Sequence, residues 1–202
     1  MKTLTEKKKV YLLLLETILS FATIVLVCFL VNKVKTDFLA TNVPYQVVSF
    51  GLILFIYLVV ATLNKQFKLA SIFNILSCGI NLCLNLGTKY FPQILFINPS
   101  IISILRCVCA IFGIAFAYFF CKGFYNLVSQ KTDNIVLANK WKKLLPFNVI
   151  VAALNFITVI INILAIENLE FLLLFSLVGT VLSIYVGVCK LIYTIKTAKE
   201  LP

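Results

Sequence analysis

Three asparagines recur at seven-residue intervals in the run FNVIVAALNFITVIIN: Asn148, Asn155 and Asn162. A second set, Asn74, Asn81 and Asn85, lies in FNILSCGINLCLN. An amide donates and accepts hydrogen bonds but does not carry charge. On a straight helix a seven-residue repeat drifts only about 20° per step, so each set forms a polar stripe. Amides facing hydrocarbon are costly, so the stripes must face protein or water. One expectation is interhelical glue, worth about 0.6–2 kcal/mol per hydrogen bond. The other is a polar seam between the third and fifth helices that lines a path for a small solute.

Two charges interrupt the apolar runs. Glu16 lies about two turns into the first run and Arg106 about two turns into the fourth, by the spacing of about 3.6 residues per turn. Charge inside a span is expensive and marks either a functional site or a snorkelling side chain. Roughly 10 Å of membrane normal would separate the two, which disfavours direct pairing. An inward-facing Arg106 would meet Asn85 or Asn162 at similar depth and could hold an anionic group. The candidate substrate-binding set is therefore Asn81, Asn85, Arg106, Asn155 and Asn162.

Catalytic chemistry finds little support. The chain has no histidine, so Ser–His and Cys–His pairs and histidine proton relays are excluded. Of the seven acidic residues only Glu16 falls within a span, so one chain cannot build an intramembrane carboxylate dyad. The seven glycines are scattered singly and form no phosphate-cradling loop. The seven cysteines contain no C-x-x-C pair and read as small buried hydrophobes. The expectation is a non-enzyme with no cofactor and no metal site.

The elements that must position these residues are set by hydropathy. A mean hydropathy of +1.07 with 62% apolar residues in 202 is more apolar surface than a soluble domain of this size can bury. About 20 apolar residues cross the hydrocarbon core, and that ruler predicts six transmembrane helices at 10–32, 46–63, 69–87, 100–121, 145–166 and 170–190. The expected fold is an all-α membrane bundle forming a single domain, arranged as three in-out-in hairpins. MKTLTEKKKV reads as the flank of an uncleaved first span.

Lysines set the orientation. Lys2, Lys7, Lys8, Lys9, Lys65, Lys68, Lys122, Lys131, Lys140, Lys142, Lys143, Lys190, Lys196 and Lys199 fall on one side, against Lys33, Lys35 and Lys89 on the other. The positive-inside rule then places both termini in the cytoplasm. The net charge of +11 is read as attraction to anionic headgroups, not as a nucleic-acid footprint. A single arginine among eighteen basic residues points to an AT-rich bacterial genome and a bacterial plasma membrane.

Between the fourth and fifth spans, residues 122–144 read as a cytoplasmic amphipathic segment with an N-cap at Asp133. Trp141 beside Lys140, Lys142 and Lys143 predicts a helix lying at headgroup level, or one docking a soluble partner. Small residues recur every four positions: Cys109, Gly113, Ala117 and Cys121, then Gly179, Ser183 and Gly187. Such ridges predict close helix packing. FNI at 73–75 and FNV at 147–149, each followed seven residues on by asparagine, together with CKGFY and CKLIY, suggest that helices 3–4 and 5–6 are related hairpins.

Two functions fit. The first is a small transport-associated, substrate-binding or permease-type subunit for a neutral, zwitterionic or anionic solute, working with a partner membrane subunit or cytoplasmic ATPase. The second is a membrane interaction protein, such as an immunity, assembly or chaperone-like factor, acting through its small-residue ridges.

Overall fold

The computed structural model describes residues 4–30, 43–90, 99–164 and 169–202. Among them are six helices and no strand: α1 (Glu6–Leu30), α2 (Val43–Val60), α3 (Lys65–Tyr90), α4 (Pro99–Lys131), α5 (Ile135–Ile163) and α6 (Leu169–Glu200). Four described segments are long and apolar enough to cross a membrane: 65–87, 100–131, 135–161 and 177–200. Residues 46–60 form a shorter apolar helix. Large side chains such as Leu52, Phe55, Ile104, Leu177 and Val181 are each at least half exposed. Contiguous apolar surface of this kind suits lipid, not water.

The helices continue beyond the 20-residue ruler. α4 has 33 residues, about 50 Å at about 1.5 Å per residue, against a hydrocarbon core of about 30 Å. The segment 122–144 is therefore not a separate element. It is the end of α4 and the start of α5, joined by a turn over 132–134. Charge at Lys122 and Lys140 interrupts an apolar run but does not end a helix. Asn134, not Asp133, caps α5: its Oδ1 accepts the Leu137 amide at 2.9 Å. Asn64 does the same for α3, accepting the Phe67 amide at 3.0 Å.

Each helix packs on its chain neighbours, and α1 closes on α6. α3 is not packed extensively on α5, as the seam expected between them would require; α4 and the space beside it intervene. Antiparallel register is fixed by polar contacts. Ser77 Oγ of α3 donates to the Cys109 carbonyl of α4 at 3.1 Å, and Asn64 Nδ2 donates to the Gly123 carbonyl at 2.9 Å.

The continuous core lies at the end that holds residues 4 and 202, here the base. Val10, Leu13, Tyr57, Val60, Phe67, Phe120, Phe124, Leu127, Trp141, Leu144 and Leu201 belong to it. Phe124 stacks on Trp141 with ring centroids 4.2 Å apart, and Phe67 meets Phe124 edge-on at 5.0 Å. Lys7 Nζ donates to the Leu201 carbonyl at 3.0 Å, and Lys131 pairs with Glu6 at 3.3 Å, which brings both chain ends together.

Trp141, expected at headgroup level, is fully buried in this core. The α4–α5 hairpin folds its indole onto Phe124, and its Nε1 donates to Thr197 Oγ1 of α6 at 3.1 Å. An indole with a hydrogen-bond partner inside the protein needs no interface. Lys142 and Lys143 remain exposed on the opposite face, and Lys140 is half-buried.

Candidate functional site

Above the aromatic base the helices separate, and the polar residues collect in that space. A chamber of about 640 Å³ is walled by Ser77 and Asn81 of α3, Arg106 and Gly113 of α4, Asn155 of α5 and Lys190 of α6. A second chamber of about 260 Å³ is walled by Glu16 and Thr17 of α1, Phe116 and Phe120 of α4, Asn155 of α5, and Ser183 and Lys190 of α6. Phe116, Asn148, Val151, Asn155 and Lys190 belong to both walls.

Helix register sets the depth of each group. Glu6, Lys131 and Leu201 share a level at the base through the contacts of Lys131 with Glu6 and of Lys7 with Leu201. Ten residues up α1 stands Glu16, eleven back along α4 stands Phe120, and eleven back along α6 stands Lys190. All three therefore lie about 15–17 Å above that level. Lys190 Nζ stands 5.3 Å from the Phe120 ring centroid, within cation–π range. Glu16 and Lys190 both line the smaller chamber. Tyr57, fully buried, packs edge-on against Phe116 of the chamber wall with ring centroids 5.7 Å apart.

Arg106 is at the other end of the space. Fourteen residues of α4 (120 − 106) separate it from Phe120, about 21 Å of helix axis. The Ser77–Cys109 contact puts Asn81 of antiparallel α3 at about the level of Arg106. The cavity thus carries Arg106 and Asn81 towards its far end, Asn155 in the middle, and Lys190 with Glu16 on an aromatic floor.

The expected site residues divide accordingly. Asn81, Arg106 and Asn155 line the larger chamber and are exposed to it. Asn85 does not share it; with Asn81, Gln46 and Cys78 it lines a separate space of about 210 Å³ between α2 and α3. The Asn162 side chain lies outside the described residues. Asn148, first of the heptad, is glue: its Nδ2 donates to the Ala117 carbonyl at 2.8 Å and approaches Cys121 Sγ at 3.4 Å. Its partner is α4, not α3.

Cys109, Ala117 and Cys121 of the α4 ridge are buried at contacts with α3 and α5, as close packing requires, but the glycines depart from that expectation. Ala117 is buried under Asn148, but a Cβ built on Gly113 or Gly179 would meet nothing within 4 Å. These two glycines make no close helix approach. Gly113 lines the larger chamber, while Ser183 and Gly187 line the smaller one, so these small side chains leave volume open. The glycine that does permit close approach is Gly123, where a Cβ would stand 3.1 Å from the Phe67 ring.

Lys190 lines both chambers, yet the hydropathy ruler does not nominate it, because that ruler ends the last apolar span at 190 and counts the lysine among the flanking charges. No glycine or proline interrupts CKLIYTIKTAKE, and α6 runs through it to Glu200. No family model matches the chain, no curated protein matches it, and no solved structure matches it.

Proposed function

We propose that the chain is a membrane protein of six spans, with both termini cytoplasmic, that binds a small polar solute between its helices. It acts as the substrate-binding part of a transport system in a bacterial plasma membrane. The observation that carries this reading is the shared wall of the two chambers, which Asn155 lines with an amide and Lys190, its ammonium over the Phe120 ring, lines with a charge. Polar groups within a span are costly, and lining a solute space is what offsets that cost. With no phosphate-cradling loop of its own, the chain depends on a partner for energy. The exposed Lys131, Lys142 and Lys143 at the base suit anionic headgroups or an acidic face of that partner.

The test is thermal melting of the purified chain in detergent against a panel of neutral, zwitterionic and anionic metabolites. At least one solute should raise the melting temperature. Asn155→Leu should remove that rise while the melting temperature without solute stays within a few degrees. A panel that shifts nothing overturns the reading.

A further inference from the structure

Two side chains of opposite charge, on helices distant in sequence, share the smaller chamber. Glu16 comes from α1 and Lys190 from α6, and both stand at the level of Phe120. We propose that this chamber is a site for an amino-acid-sized zwitterion, with Lys190 taking the solute's carboxylate and Glu16 its ammonium. The proposal rests on the solute-binding reading above and names the class of solute.

Size limits the choice first. About 260 Å³ falls below the roughly 300–1,000 Å³ of pockets for drug-sized ligands, so a solute that sits between Glu16 and Lys190 is small. Charge limits it next. In a low-dielectric span a bare anion drawn to Lys190 would be repelled by Glu16, and a bare cation drawn to Glu16 would be repelled by Lys190. A zwitterion meets each charge with its opposite and leaves the net charge of the chamber unchanged.

The remaining wall fits such a solute. Ser183 and Asn155 supply neutral donors and acceptors, and Phe116 and Phe120 give an apolar side for a short side chain. Ser183 Oγ donates to the Gly179 carbonyl at 2.7 Å, which leaves its oxygen lone pairs for an incoming donor. Glu16 keeps its present neighbours, since a carboxylate accepts several donors at once. Lys190 likewise has three N–H groups, so its place over Phe120 does not exhaust it.

The experiment uses the full chain in lipid nanodiscs, melted with glycine, L-alanine, L-valine and L-threonine. The controls are propionate and ethylamine, which are alanine without its ammonium and without its carboxylate. At least one amino acid should raise the melting temperature, and neither control should. Lys190→Met and Glu16→Gln should each weaken that amino acid by about tenfold or more, as loss of a charge-assisted hydrogen bond requires. The double reversal Glu16→Lys with Lys190→Glu should regain binding, because the chamber again offers one charge of each sign. Should the single variants fail to fold, the double reversal decides. Folding regained without binding assigns the pair to structure alone and overturns the proposal. Equal binding of propionate or ethylamine overturns it too, as does unchanged affinity in the single variants. If uncharged metabolites shift melting while amino acids do not, this proposal falls and the solute-binding function stands. If no solute in either panel shifts melting, both fall.

Discussion

The three asparagines of the α5 heptad, identical in sequence terms, do not share one task. Asn148 is 3% exposed and spends its amide on the Ala117 carbonyl of α4. One repeat higher, Asn155 is exposed and faces both chambers. Depth separates them: Asn148 lies where α4 and α5 press together above the base, and Asn155 lies where Gly113 leaves room. Asn148→Ala should lower stability by about 1–2 kcal/mol, read by denaturant titration, since it removes a buried interhelical hydrogen bond. In a background without native cysteines, Asn155→Cys should react with a water-soluble thiol reagent much faster than Asn148→Cys, which touches the chambers only at the edge of a buried side chain. The stripe itself was legible, because a seven-residue interval keeps side chains on one helix face. Which amide is dry depends on how far the neighbouring backbone stands away, and no interval encodes that.

At the level of elements, existence and order of the helices followed from hydropathy, while their ends did not. The apolar ruler measures hydrocarbon thickness, so it stopped α4 near 121 and α6 near 190 although both helices run ten residues further. That truncation turned a buried hairpin into a supposed surface helix and left Lys190 out of the expected site. Glycine was misread for a related reason. A small residue permits either close packing or open space, and only the partner helix decides which. Gly123→Ala should cost about 1–3 kcal/mol in thermal or denaturant unfolding. Phe67 cannot yield, being fully buried and braced edge-on against Phe120 and Phe124. Gly113→Ala meets nothing within 4 Å and should be neutral or stabilising by up to about 1 kcal/mol through helix propensity.

Over the whole molecule, packing is uneven: the base is close-packed and the polar space lies above it. The centre of that base is Trp141, where α4, α5 and α6 meet through the Phe124 stack and the Thr197 hydrogen bond. Trp141→Ala should cost about 3–5 kcal/mol, the usual range for removing a large buried aromatic. As the chain's one tryptophan, it should emit at short wavelength and resist aqueous iodide in the native protein. Emission quenched as readily as that of free tryptophan would contradict a buried indole. The sequence by itself determined an all-helical chain of lipid-compatible helices, the polar stripes and the poverty of catalytic groups, because hydropathy, periodicity and residue type are local properties of the chain. Only the tertiary structure decided that Asn148 binds α4, that Trp141 seals the base, and that Glu16 and Lys190 share a chamber. Those facts depend on helix register and on the closure of α1 against α6, which bring together residues 174 positions apart (190 − 16). No local pattern specifies such a meeting; it is set by which faces of distant helices pack.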